Sequence, residues 1–253
     1  LRPAFPSVKA VDMNVTDTRI IVRGRSPFVV AQQPETRLPD NFVAENKKLD
    51  AKAVNQFQVV YKPASRLGNP IAMVPVNMSE ATARALDRIV ETHGPIDNFV
   101  ATSLDMTLHE LESYLSPEQI DAVGMGIAAM LRGREFILAD QTGLGKGRVL
   151  AALALAARVK GKNVVFLTEK ANLFADFWRD VSDIGAASRM GAPFLLNNDA
   201  KIIDVMSPTG DVLFQSERPD AIKRMVRAGG MPEGHNLMMA SYSQFNRAGS
   251  AKS

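Results

Sequence analysis

Phe136-Ile137-Leu138-Ala139-Asp140-Gln141-Thr142-Gly143-Leu144-Gly145-Lys146-Gly147-Arg148 is the stretch that decides the fold. A short apolar run leads into closely spaced glycines, and an Ala/Leu-rich stretch follows from Val149 to Val159. Strand, glycine loop and helix in that order are the context of a phosphate-binding loop. Glycine lets backbone N–H groups turn inward and approach a phosphate without a Cβ in the way. The helix behind it adds its free N–H groups and the positive end of its dipole. Lys146 places a point charge where the β- and γ-phosphates would lie. The plainer alternative is a structural glycine turn with a surface lysine. The flanking strand and helix patterns argue against it.

The loop departs from G-x-x-x-x-G-K-S/T at two positions. Asp140 stands where the first glycine would, and Gly147 stands where a hydroxyl residue would hold Mg²⁺. Without that hydroxyl, Mg²⁺ must rely on water, the phosphates and a carboxylate from elsewhere.

The chain has 253 residues, 46% of them hydrophobic, enough for one large domain or a domain with extensions. It contains no cysteine, which excludes disulfides and thiolate metal sites and fits a reducing compartment. No run of about 18 apolar residues occurs, so no membrane span or membrane partner is expected. The first residues, Leu1-Arg2-Pro3-Ala4-Phe5-Pro6, do not form a signal peptide. With no initiator methionine, the chain reads as a piece of something longer or as a processed product.

The net charge of +3 is unevenly spread. Residues 1–75 hold 11 Lys/Arg, 6 Asp/Glu and 8 of the 14 prolines, and they read as a basic arm or linker. Short strands are expected at 19–22 and 57–61. Such an arm can touch nucleic-acid phosphates or serve as a solvated tether. Residues 76–133 read as a helical lead-in. Ser79 is the expected N-cap of a helix burying Ala81, Ala85, Leu86, Ile89 and Val90, which His93-Gly94-Pro95 stops. Thr107-Leu108-His109-Glu110 and Ser116-Pro117-Glu118-Gln119 are capping-box patterns. The second opens a helix to about Leu131 that buries Ile120, Val123, Ile127 and Met130.

From 134 to 253 strands and helices alternate. Strands are expected at 135–139, 163–167, 212–214 and 237–240. Helices are expected at 146–159, 172–184 and 220–227, with a weaker stretch at 186–210. This order predicts an α/β fold with a mostly parallel sheet covered on both faces. Phe177 and Trp178 read as core, and Asp180 and Asp183 as a solvated helix face. His93, His109 and His235 lack metal-ligand spacing, so no protein-metal site is expected.

Several motifs now carry a family resemblance. Leu138 to Arg148 resembles motif I of superfamily-two helicases and translocases, and its Gly-Lys-Gly-Arg ending is similar to that of strawberry-notch-type helicase-like NTPases. Val74 to Met78 resembles the segment that precedes the ATPase core there, and Leu115 to Ala122 the upstream glutamine motif. Thr168 to Phe174, Arg179-Asp180 and Asp183-Ile184-Gly185 resemble the next block, and Ala240 to Phe245 a Thr-Tyr-Ser segment ending a core strand. Together these span about residues 74–246. Similar domains occur in phage and mobile-element proteins, including antirestriction proteins of the DarB type.

The resemblance implies a partial RecA-like P-loop domain in a nucleic-acid-dependent ATPase, with ATP and Mg²⁺ as cofactors. Gln119 would read the adenine edge, with helix capping as its plainer role. Gln141, Thr142, Gly143, Leu144, Gly145, Lys146 and Gly147 would cradle the phosphates, helped by Arg148, and Lys146 would be the catalytic cation. Thr168, Lys170, Tyr242 and Ser243 would face a nucleic-acid backbone, DNA ahead of RNA, although a helix cap, a solvated lysine and a packed tyrosine are the bland alternatives. A cytoplasmic protein is implied, or a virion-associated one delivered to the host cytoplasm. No acidic motif follows the Tyr-Ser strand, and Asp204 and Asp211 precede it in weak contexts. The catalytic acid and a second RecA-like domain are therefore expected elsewhere in a larger polypeptide, and these 253 residues should hydrolyse ATP poorly. Two other classes stay open: a degenerate NTPase fold acting as an interaction module, and a phosphotransferase.

Overall fold

A computed structural model describes residues 13–16, 19–22, 58–70, 72–139, 145–204 and 207–245. The chain divides into two units, Leu1–Asp50 and Ala51–Ser253. In the first, β1 (Met13–Thr16) pairs antiparallel with β2 (Arg19–Val22), so the expected strand at 19–22 has a partner just upstream.

The composition break sits at residue 75, but the chain divides earlier, and residues 58–75 belong with the helices that follow them. There β3 (Gln58–Val60) pairs antiparallel with β4 (Met73–Pro75). Carboxylates hold the chain between them. Asp121 is fully buried, and its Oδ2 accepts from the Tyr61 hydroxyl at 2.8 Å and from the Ala64 N–H at 2.8 Å. Its Oδ1 accepts from the Ser65 N–H at 2.9 Å. Asp97 accepts from the Arg66 N–H at 3.0 Å, and Glu118 from the Ala72 N–H at 2.9 Å. A turn-rich segment has no ladder for its N–H groups, and buried donors must be paired. Acids on two helices supply the acceptors.

The helical layer consists of α1 (Val76–His93), α2 (Ile96–Leu104), α3 (Leu108–Tyr114) and α4 (Pro117–Leu131). Helix α1 starts directly after Pro75, not at Ser79, and it buries Leu86 and Ile89 while Ala81 and Val90 stay exposed. Helix α2 is a correction to the sequence reading. Gly94-Pro95 ends one helix, but Pro95 is also the N-cap of the next, whose Ile96, Val100 and Leu104 are buried at four-residue spacing. Both capping boxes form: Thr107 with Glu110, and Ser116 with Gln119. Helix α4 buries Ile120, Val123 and Ile127 as expected, but Met130 is exposed.

The α/β part contains α5 (Lys146–Val159), β5 (Val164–Thr168), α6 (Leu173–Asp183), α7 (Ala187–Met190), β6 (Phe194–Leu195), β7 (Lys201–Ile203), β8 (Val212–Gln215), α8 (Pro219–Ala228) and β9 (Leu237–Ser241). The core sheet is parallel, in the order β5-β9-β6, with Val164 opposite Leu237 and Thr168 opposite Ser241. The fold is therefore α/β with a parallel sheet, as expected. Phe177 and Trp178 are buried in the core, with Phe177 stacked on Phe166 at 4.1 Å and Trp178 edge-on to Phe214 at 4.8 Å.

Two strand expectations need correction. Residues 134–139 pair with no described strand. Phe136 and Leu138 are half-buried while Ile137 is 87% exposed, the alternation of an extended chain without a ladder. Local pattern sets that alternation, but a strand also needs a neighbour. Strand β8 does not join the parallel sheet either. It pairs antiparallel with β7, across a turn in which Asp211 accepts from Ser207 at 2.8 Å and from Thr209 at 2.9 Å. These hydroxyl bonds hold the Asp211 carboxyl below its ordinary range.

Candidate nucleotide site

The site is built where α4, α5 and α6 meet. Pro117 at the first turn of α4 and the Ser116 cap fix the start of that helix. The cap orients Gln119: its Oε1 accepts from the Ser116 N–H at 3.0 Å. Its Nε2 then points across to the Gly145 carbonyl, 3.5 Å away. The helix-cap role and the loop-facing role are thus filled by one side chain. An amide that can both donate and accept is the kind of group an adenine edge would need.

Gly145 is the N-cap of α5 and is left-handed, with φ of 72°. A Cβ there would overlap Nε2 of Gln119. The positive φ calls for glycine, and a Cβ would also push the Gln119 amide aside. Gly145→Ala should destabilise the fold by about 1–2 kcal/mol and displace Gln119 from the loop. Urea unfolding and nucleotide calorimetry on the variant check both parts.

Lys146 and Gly147 open α5, so the positive end of the helix dipole lies here. Arg148 spans two neighbours: Nη1 donates to the Tyr114 carbonyl at 3.4 Å, and Nη2 lies 3.3 Å from Oδ2 of Asp183. It ties the start of α5 to the end of α3 and to α6. Gln141, Thr142, Gly143 and Leu144 lie outside the described residues.

Beside this helix start lies a cavity of about 770 Å³. Tyr61, Met73, Tyr114, Gln119, Gly145 and Arg148 are among the residues lining it. Its volume and its mix of apolar walls with a few convergent polar groups suit a nucleotide-sized ligand. Tyr61 reaches it from the segment held by Asp121, which composition alone assigns to the arm. A buried carboxylate 60 residues from its tyrosine partner leaves no local pattern in the sequence.

Thr168, Lys170, Tyr242 and Ser243 gather elsewhere, at the carboxyl edge of the parallel sheet. Thr168 is buried opposite Ser241 in the register, Lys170 is exposed, and Tyr242 is 55% exposed. Ser243 Oγ lies 2.8 Å from Ser241 Oγ. Asn197, which the sequence did not single out, clamps the edge: its Nδ2 donates to Ser241 Oγ at 2.7 Å, and its Oδ1 accepts from the Ser241 N–H at 3.0 Å.

A nucleotide with its Mg²⁺ is the group such a loop implies. Gly147 offers no hydroxyl for the cation, but a Cβ on Gly147 would overlap Oδ2 of Asp180 on α6. A carboxylate oxygen therefore fills the space where a side chain after the lysine would begin. Mg²⁺ takes hard oxygen ligands and commonly uses one or two carboxylates plus phosphates and water, so Asp180 fits. The bound cation would neutralise phosphate charge and polarise the terminal phosphoryl group.

An α/β domain with a parallel sheet and a Gly-Lys-Gly helix start beside a nucleotide-sized cavity is the architecture of a P-loop protein. The chain belongs to the family described as P-loop containing NTP hydrolase pore-1, whose family model matches residues 83–209, half of the chain. That match takes in Gln119, the glycine loop, Asp180 and Thr168. No curated protein and no solved structure matches the chain. No described helix is long and apolar enough to cross a membrane.

Proposed function

We propose that this chain is the ATP-binding part of a nucleic-acid-dependent ATPase of the helicase or translocase kind, similar to the strawberry-notch type. The observation that carries this is Gln119, which lines the cavity and whose amide faces the carbonyl of Gly145, the residue before Lys146. A glutamine held 26 residues upstream of the glycine loop supports recognition of adenine over the other bases. Lys146 and the α5 N-terminus bind the phosphates, with Mg²⁺ as the counter-cation. The edge formed by Thr168, Lys170, Tyr242 and Ser243 is the surface offered to a DNA backbone, and a second RecA-like domain completes the hydrolytic centre. The setting is cytoplasmic, with delivery in a virion as the variant for a phage protein.

Nucleotide selectivity tests this reading. Calorimetry should show ATP preferred over GTP and CTP by about tenfold, one well-placed pair of polar contacts. Gln119→Ala should erase the preference while leaving phosphate-dependent binding in place. Equal affinity for all three nucleotides in the wild-type chain overturns the adenine assignment. The glycine at position 147 favours a second reading, an interaction module that binds nucleotide without turnover. Stimulation of ATP hydrolysis by single-stranded DNA in the chain joined to its second domain excludes it.

A further inference from the structure

The glycine after Lys146 and the carboxylate packed against it form a matched pair. Gly147 is the second residue of α5, and Oδ2 of Asp180 reaches it from α6 so closely that any side chain there would have to push the carboxylate aside. The neighbouring acids on α6 are engaged elsewhere: Asp176 with Arg179 at 3.0 Å and Asp183 with Arg148 at 3.3 Å. Asp180 is the least exposed of the three, with 17% of its side chain accessible. Its charged contact among the described residues, Arg179 Nη2 at 3.7 Å, is longer than a hydrogen bond. Burial pushes its carboxyl above the ordinary range.

An anionic group at a helix start is unremarkable by itself, because the dipole favours it. At the mouth of a phosphate site it is costly. A carboxylate and a triphosphate placed side by side would repel each other unless a cation stands between them. We propose that Asp180 holds the divalent cation of the bound nucleotide, taking the place of the hydroxyl that Gly147 lacks. This rests on the nucleotide-site reading above. A metal cage of three or more acidic or histidine side chains is absent among the described residues, and a Mg²⁺–nucleotide site does not need one.

The test compares ATP binding by calorimetry in Mg²⁺ and in EDTA. In the wild-type chain, Mg²⁺ should strengthen binding by about tenfold or more, a coupling of ordinary size between two ligands. Asp180→Asn removes both the cation ligand and the repulsion. It should bind ATP in EDTA at least as tightly as wild type, and Mg²⁺ should then add less than about threefold. A purely structural role for Asp180 would instead weaken binding in both conditions alike. The paired exchange gives a second arm. Gly147→Ser alone collides with Asp180, whereas Gly147→Ser combined with Asp180→Ala supplies a hydroxyl in freed space and should restore the Mg²⁺ effect. An undiminished Mg²⁺ effect in Asp180→Asn overturns the assignment, as does equal weakening in Mg²⁺ and EDTA. If the wild-type chain binds no ATP in either condition, the nucleotide-site reading fails and takes this inference with it.

Discussion

Lys146→Ala should lower ATP affinity by about 10- to 100-fold without unfolding the protein. The lysine is the first residue of α5, at the point where the helix dipole already favours an anion. A hydrogen bond to a charged partner contributes about 1.5–3 kcal/mol, and each 1.4 kcal/mol is about tenfold in affinity. The backbone contribution of the loop survives the substitution, so weak binding should persist at high nucleotide concentration. Calorimetry with ATP and with AMP separates the parts. The loss should be large for ATP and small for AMP, because the ammonium acts on the outer phosphates. Equal losses for both ligands would show that the lysine shapes the site and does not contact those phosphates. A parallel urea melt should give an unchanged midpoint.

Asp121→Ala should be among the most destabilising single changes in the described fold, costing about 3–5 kcal/mol. It removes the acceptor of the Tyr61 hydroxyl and of the N–H groups of Ala64 and Ser65. Each unsatisfied buried group costs about 1–3 kcal/mol, less whatever water recovers. Because Tyr61 lines the cavity, nucleotide affinity should fall as well. The same carboxyl gives the fold a pH dependence. Burial raises it from an ordinary 3.8 to about 6, against the lowering effect of its hydrogen bonds. The folded protein therefore holds this proton more tightly than the unfolded chain. The stability linked to it is fully present below pH 3.8 and is lost as pH rises through about 6. A displacement of that size corresponds to about 3 kcal/mol. Urea unfolding at intervals from pH 4 to 7 should show this decline, and Asp121→Asn, which cannot ionise, should flatten it. An identical slope in the asparagine variant would assign the pH dependence to other groups.

Much of the site was legible along the chain. Gly145, Lys146 and Gly147 announce a glycine-led helix start with a lysine at its first position, because positive φ and close backbone approach are local requirements met by residue type. The two capping boxes were equally plain, since Thr107 with Glu110 and Ser116 with Gln119 satisfy their partners within three residues. Helix α2 was hidden because proline both ends and begins helices, and only burial of Ile96, Val100 and Leu104 separates the two meanings. The extended segment 134–139 shows the opposite failure. Its apolar run reads as a strand, but a ladder is a relation between strands, and a sequence pattern names only one of them.

What the sequence determined by itself is the chemistry that depends on neighbours along the chain: the α/β order, the glycine–lysine helix start, the helix caps and the absence of cysteine. What only the tertiary structure decided is which distant groups meet. Gln119 faces Gly145, Asp180 fills the space beside Gly147, and Asp121 gathers Tyr61, Ala64 and Ser65. The first two depend on where helices cross and the third on how a loop packs against α4, and both are set by the packing of whole apolar faces, which no short stretch of residues encodes.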